Sequence, residues 1–415
     1  MPFLFKRRFG VFARRRKEIE RLTFRTAGET HGPALVTIVE GLPSGLELRS
    51  ADIDRELRRR QIGYGRGGRM ELEKDRVEIL SGIRFGKTLG SPVAFVLRNL
   101  DWENWQEKMA REGEGVGIEP LDKVRPGHAD LAGALKYGHQ DVRNVIERAS
   151  ARETAARVMA GAAAKRLLDV LGVAVIGHVV SIGPFNVSKD VEGNHEAAKR
   201  AESSILRMAD PDAETKSIKW IDQMKEAGST AGGVVEVIAT GLPPGLGSFA
   251  SWDRRLDGRI GLALMSINAI KGVEVGDGVS LAGLPGKEAL DEIFPGSSGG
   301  NLLLGNRLLP FHRKTNHAGG LEGGMTNGEP LVVRAAMKPI PTQSEPLQTV
   351  TIGNWELTSA HKERSDICAV PAAAVVAEAM TAVVLADAFL EKFGGDAIGD
   401  IICNYLHYLE RICAK

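Results

Sequence analysis

Gly41-Leu42-Pro43-Ser44-Gly45-Leu46 returns about 200 residues later as Gly241-Leu242-Pro243-Pro244-Gly245-Leu246. Each copy follows a β-like run, and before that run stands Thr-Ala-Gly, as Thr26-Ala27-Gly28 and Thr230-Ala231-Gly232. Each copy also precedes Asp-Arg-x-Leu, at Asp54-Arg55-Glu56-Leu57 and Asp253-Arg254-Arg255-Leu256. Glycine supplies positive φ and proline fixes its own, so Gly-Leu-Pro-x-Gly is a common turn composition and chance recurrence is the competing reading. The ordered set at one offset favours two related halves. No short solenoid period is present.

Outward from these turns, Leu35–Val39 reads as a strand, Ala51–Arg60 as a basic helix and Gly63–Gly68 as a glycine-rich loop. Val77–Leu80 and Pro92–Arg98 read as strands, and Asp101–Gly117, with Trp102 and Trp105, as a polar loop. Ser150 and Glu153 form an S-x-x-E capping box at the head of an Ala-rich helix ending near residue 171. Val173–Val180 and Gly232–Thr240 read as strands, and 186–228 as a polar surface excursion with its own helix. Val370–Leu390 is apolar but broken by Glu378 and Asp387, whereas a membrane span needs about 18–20 apolar residues. It reads as a buried helix, and no membrane partner is expected.

A chain of 415 residues suits one large domain or two similar halves. With 43% hydrophobic and 26% charged residues it is not disordered, collagenous or a coiled coil. Residues 1–22 hold eight Lys/Arg against two Asp/Glu, so a net +1 chain has a body near −5. That balance argues against a dedicated nucleic-acid binder, and any anion site must come from local clustering. The leader lacks the apolar core of a signal peptide, and Glu18 and Glu20 oppose a transit-peptide reading. It reads as a dispensable extension of a single domain spanning 23–415. Cys368, Cys403 and Cys413 form no CxxC and have no histidine at ligand spacing, so neither a disulfide framework nor a metal site is expected.

Six stretches could carry chemistry. Gly28-Glu29-Thr30-His31-Gly32 sets a histidine between glycines, suited to acid–base work or to a plain turn hydrogen bond. Gly63–Gly68 matches GxGxxG but follows no strand, so a dinucleotide fold is rejected. Arg60 and Arg66 around it suit a polyanion, or a solvated basic face. Arg125-Pro126-Gly127-His128-Ala129-Asp130 is a turn in which Arg125 or Asp130 could tune His128. Arg148-Ala149-Ser150 places an arginine just before a helix N-terminus, a natural anion site. Asn316–Met325 has side-chain-free backbone suited to a flat ligand, and runs through a strand into Lys338-Pro339-Ile340-Pro341-Thr342. Arg364 and Asp366 stand ahead of the apolar helix, with Pro371 in its first turn. From the residues alone this is an enzyme for a small, multiply anionic substrate, with no flavin and no reaction legible.

In order, TAGETHGPAL, RRRQIGYGRGGRM, VEILSGIRFGKTLGSPV, RPGHADLAGALKYG, RASARETAARV, SINAIKGVEVGDG, TNHAGGLEGGMTNGEP, KPIPT and ERSDICAVPAA resemble the chorismate synthase family over roughly 23–395. The resemblance implies an α+β fold, a β-α-β sandwich with antiparallel sheets enclosing central helices, assembled as a homotetramer. It implies loss of phosphate and a C6 hydrogen from 5-enolpyruvylshikimate 3-phosphate to give chorismate. Reduced FMN is required without net redox change, and NADPH is the reductant if the enzyme reduces its own flavin. By position, His31 and His128 match the catalytic histidines, and Asp366 matches the acidic residue that would help deprotonate the flavin. Arg148, Ala149, Ser150, Asn268, Ala269, Gly323, Lys338, Pro339, Ile340, Pro341, Thr342 and Arg364 match FMN-binding positions. Arg60 and Arg66 match anion or NADP sites. A cytoplasmic enzyme is expected. The leader and a long 280–314 segment, with Ser297-Ser298-Gly299-Gly300, depart from the family pattern. The alternative is a flavin-binding protein that has lost its chemistry.

Overall fold

The computed structural model describes residues 21–67, 74–296, 303–363 and 365–413, so Arg364, Ser297–Gly300 and nearly all of the leader lie outside the described residues. Two antiparallel sheets enclose a double layer of helices. Sheet A has strands β1 (Thr23–Ala27), β2 (Ala34–Glu40), β3 (Val77–Ser81) and β4 (Val93–Arg98), in the order β1-β2-β4-β3. Sheet B has β5 (Ala174–Ile182), β6 (Gly233–Thr240), β7 (Ile270–Val275) and β8 (Leu331–Met337), in the order β5-β6-β8-β7, with Phe185–Asn186 as a short edge strand beyond β5. Counted within its own half, each sheet runs first-second-fourth-third.

The helices repeat as well. α1 (Ser50–Gln61) lies between second and third strand of the first half, and α4 (Thr154–Val170) follows its fourth. α7 (Leu256–Met265) and α8 (Val370–Phe393) hold the same places in the second half. α1 and α4 pack on sheet A, α7 and α8 on sheet B, and α4 lies along α8 in the middle. The hexapeptide echo is therefore structural. Gly45 N–H donates to Thr88 O at 2.9 Å and Gly245 N–H to Thr326 O at 2.7 Å. The Thr88 hydroxyl donates to Pro43 O, and that of Thr326 to Pro243 O.

Two parts of the echo are not equivalent. Thr26-Ala27 ends β1, whereas Thr230–Gly232 precedes β6, because residues 183–232 are inserted where the first half has a tight connection. Asp54–Leu57 lies inside α1, but Asp253-Arg254-Arg255 leads into α7. The 186–228 excursion holds two helices, α5 (His195–Ala201) and α6 (Pro211–Glu226). α5 buries Ala197, Ala198 and Ala201 and packs on β5 and β6, so it is part of the core covering.

Small residues allow the helices to approach. A Cβ on Gly161 of α4 would stand 2.3 Å from the Ala379 Cβ of α8. α8 is long and apolar enough to cross a membrane, yet 94% of its most apolar window is buried in this protein. Its fully buried Glu378 accepts hydrogen bonds from Arg59 of α1, Lys165 of α4 and the Gly177 N–H of β5. Burial opposes the Glu378 charge, and the attraction of Lys165 and Arg59 outweighs that and holds its carboxyl far below the usual range. Removing the carboxylate leaves the Gly177 N–H without that acceptor and takes one of several carboxylates from Arg59 and Lys165, which keep Glu56 and, for Arg59, Glu202. Glu378→Ala is expected to cost up to about 3 kcal/mol in denaturant unfolding, against about 1 kcal/mol for an ordinary substitution.

Candidate active site

Both histidines sit where the connection between fourth strand and buried helix leaves sheet A. That connection, residues 99–153, contains α2 (Asp130–Tyr137) and α3 (Arg143–Ala149). His31 lies in the β1–β2 turn. Its backbone N–H donates to Glu147 Oε2 at 2.8 Å, and its Nδ1 lies 2.9 Å from Glu147 Oε1. The ring stacks on Trp105 with centroids 3.8 Å apart. Burial raises the Glu147 carboxyl, but hydrogen bonds from His31 outweigh that and leave it below the usual range.

His128 stands in the turn before α2. Its Nδ1 contacts Asp130 Oδ1, and Arg125 Nε donates to Asp130 Oδ2 at 2.8 Å. Asp130 is fully buried. Burial raises its carboxyl, but the bonds from His128 and Arg125 prevail and bring it to about 2. A carboxylate only accepts, so the Asp130 contact favours the proton on Nδ1, while the Arg125 guanidinium, a donor only, stands 3.1 Å from the same nitrogen and competes for it.

The matching connection of the second half, 338–369, closes this site. Glu363 accepts from Arg143 at 2.8 Å and from Arg125 at 3.5 Å, bridging the elements that hold the two histidines. Arg125 also donates to the Thr342 hydroxyl at 2.9 Å. Lys338 Nζ donates to Gly127 O, and Lys338 N–H to Ala269 O at 3.0 Å. Pro339 lies against Gly232, Ile340 O accepts from Thr230, and Pro341 approaches Gly127. Asn268 Nδ2 donates to Ala149 O at 2.9 Å, while its Oδ1 is buried without a partner. Ala269 adopts φ +66°, a strained conformation for a residue with a Cβ. These placements draw Ala149, Asn268, Ala269 and Lys338–Thr342 beside His128.

Arg148 stands elsewhere than the sequence suggests. It is in the last turn of α3, at a helix C-terminal end and not just before a helix N-terminus, and donates to the Thr26 and Gly28 carbonyls. Ser150 caps a short 3-10 turn before α4 through Arg152 N–H, and Glu153 bonds Thr26 and Arg157 without returning to the cap. Arg60 is buried in the last turn of α1, not on a loop. It shares Asp75 with Arg152, at 3.1 Å and 2.8 Å respectively. Burial, with the Arg152 and Arg66 charges, pulls the Arg60 guanidinium down to about 10 against the attraction of Asp75. Arg152 also donates to Asn99, whose amide bonds the Glu29 and Gly32 carbonyls flanking His31. Asp366 accepts from Arg66 at 3.2 Å and from Gly67 N–H at 2.6 Å, so it belongs to this arginine group. A cavity of about 470 Å³ lined by Gln61–Gly67, Ile221, Asp222, Lys225 and Ile367 adjoins Arg66.

Gly323 is not gathered with the others. Its neighbour Gly324 accepts from Leu256 N–H at the start of α7, whereas Asn268 lies past that helix's end, some 15 Å along a ten-residue helix. Nor do the glycines of 316–325 form one flat ligand bed. A Cβ on Gly319, Gly320 or Gly324 would strike the protein itself, and only at Gly323 is the space open. No group of acidic, histidine and cysteine side chains among the described residues could hold a metal. Sequence reading missed Glu147, Arg143, Glu363, Asp75 and Arg152. The i,i+4 spacing of Arg143 and Glu147 was the one signal available.

Two histidine–carboxylate pairs beside clustered guanidiniums, one histidine in the β1–β2 turn and one on the strand-to-helix connection, suit an enzyme that moves protons on an anionic substrate. The chorismate synthase family model matches residues 22–390. Chorismate synthase of Trichlorobacter lovleyi is 55% identical over 385 residues, 92% of this chain and 97% of the relative. That of Desulforudis audaxviator is 54% identical over 396 residues, 95% and 99%. A crystal structure of chorismate synthase, 43% identical, superposes with a TM-score of 0.75 and covers 95% of this chain and 98% of that one. The chain belongs to the chorismate synthase family. It is a lyase that forms chorismate from 5-enolpyruvylshikimate 3-phosphate, and the reading as a flavin binder without chemistry is not favoured.

Asp130 gives a pH test. Its folded carboxyl, near 2, lies below the ordinary 3.8. Its stabilisation, about 2 kcal/mol, is therefore complete above pH 4 and lost as pH falls through 2. Asp130→Asn is expected to remove that part of the acid dependence in unfolding titrations. An unchanged dependence would assign it to other groups.

Proposed function

We propose that this chain eliminates phosphate from its substrate with reduced FMN held along Asn268–Ala269, Lys338–Thr342 and Arg148–Ser150. The buried, unpartnered Asn268 Oδ1 is an acceptor in need of a donor, and strained Ala269 and cationic Lys338 lie beside it. Those features fit a flat ligand with ring N–H groups and a phosphate. Reduced FMN supplies electron density that weakens the allylic carbon–oxygen bond. Arg364, outside the described residues, and Gly323, distant within one chain, complete the proposed set.

The chain's own residues bind, orient and move protons. Arg60 and Arg66, with Arg152, hold the substrate's anionic groups, and Arg60 and Arg66 also suit NADPH as reductant. His128, protonated at both ring nitrogens before the step, gives its Nε2 proton to the departing phosphate, where charge develops, and is left as the neutral Nδ1–H ring. His31 serves as proton donor on the flavin side of the site, and Asp366, the carboxylate held by Arg66 and Gly67 N–H, serves as a proton acceptor there. The observation that carries this reading is the joining of both histidine pairs by Glu363.

The same reading includes a cytoplasmic homotetramer without nucleic-acid or membrane partners. Exposed apolar side chains support assembly of copies: Ile38 and Leu80 on the outer face of sheet A, and Phe249, Trp252 and Leu262 around α7. Residues 23–415 act as one domain, and 1–22, nearly all before the family match at 22–390, are dispensable. His31→Ala and His128→Ala are each expected to lower kcat at least about 100-fold while FMN binding, read by fluorescence quenching, persists. Wild-type turnover in either variant removes that histidine from the reaction. Equal anaerobic rates with NADPH alone and with dithionite would show an enzyme that reduces its own flavin, and turnover with dithionite only would show dependence on an external reductant.

A further inference from the structure

We propose that Glu147 is the positioning residue of His31, fixing the neutral ring as the Nδ1–H tautomer and reserving Nε2 for proton transfer. The inference rests on the role of His31 proposed above and adds a residue that neither motif nor resemblance supplied. Glu147 comes from α3, 116 positions along the chain from His31. Its side chain is 2% exposed. Both oxygens are committed to His31, one to the backbone N–H at 2.8 Å and one to Nδ1 at 2.9 Å.

An ionised carboxylate has no proton to give. Its contact with Nδ1 therefore requires the proton on that nitrogen. The backbone bond prevents Glu147 from following a flipped ring, because moving one oxygen breaks the other contact. The Thr30 N–H and hydroxyl both donate to Glu147 O at 2.9 Å, which locks the His31 turn onto α3. Trp105 sets the ring plane from one face, with an interplanar angle of 19°. Arg143 Nη1 donates to Glu147 Oε1 at 3.4 Å and adds a smaller attraction to the His31 bonds that favour the charged carboxylate. Plane, tautomer and position are thus fixed by different side chains, and the lone pair of the neutral ring lies on Nε2. His128 and Asp130 repeat the arrangement with the same ring nitrogen bonded.

The test is nitrogen-15 NMR of the histidine rings, above the pH at which they are neutral, together with steady-state kinetics. Wild-type His31, assigned by its loss in His31→Ala, should show the Nδ1–H pattern. Glu147→Gln should show mixed tautomers, with kcat down about 100-fold and KM within about threefold. Glu147→Asp, which keeps the charge, should recover at least about tenfold of the loss. A purely structural Glu147 would leave the tautomer unchanged and lower only folded yield or stability. A neutral Nε2–H ring in the wild type overturns the proposal even if Glu147→Gln fails to fold. If the NMR pattern is as expected but His31→Ala turns over normally, the catalytic role of His31 fails and the positioning does not.

Discussion

Glu378 is the constraint on which the layered structure turns. A buried carboxylate in the middle of a 24-residue apolar helix has no stable place unless cations reach it. Here they come from the other half, Arg59 on α1 and Lys165 on α4, while Gly177 binds it within its own half. The charge therefore fixes the register of α8 against α4. Leucines and alanines alone would tolerate sliding, since apolar contact is not directional. Glycine at 161 lets the two helices come close enough for that charge set to close.

Register in the helix layer decides where the long connections fall. In each half a long segment runs from fourth strand to buried helix, and each carries residues of the candidate site. The first brings His128, Asp130, Arg143 and Glu147, and the second brings Lys338–Thr342, Glu363 and Asp366. Glu363 holds them together by bonding arginines from the first half, and those cations, with His361, outweigh its burial and bring its carboxyl to about 2. Two halves of matching strand order thus bring two unlike loops together at the candidate site.

Much of this was legible in the sequence. The strands at 77–81, 93–98, 174–182 and 233–240 follow their β-branched runs, and the apolar helix follows its composition. The hexapeptide echo survived because its glycines and its threonine partners make the same turn twice. Its flanks did not, because Thr-Ala-Gly can end one strand or precede another. At the site, His31 and His128 stood out through flanking glycines, and Asp130 through nearness. Glu147, Glu363 and Asp75 did not, since a lone carboxylate gains meaning only when folding brings a remote histidine or arginine to it. Arg60 reads as facing a polyanion or solvent, because basic runs look solvated, whereas it is buried against Asp75; Arg148 reads as an anion site before a helix, whereas it ties down a strand end.

The account predicts an elimination at the junction of the two halves, with no net loss of reducing equivalents. Anaerobic turnover of 5-enolpyruvylshikimate 3-phosphate with a fixed quantity of reduced FMN tests this most directly. Chorismate and phosphate should appear one to one, over many turnovers, while the flavin stays reduced. Product limited to one equivalent per flavin oxidised, or none from protein that binds FMN, would contradict it.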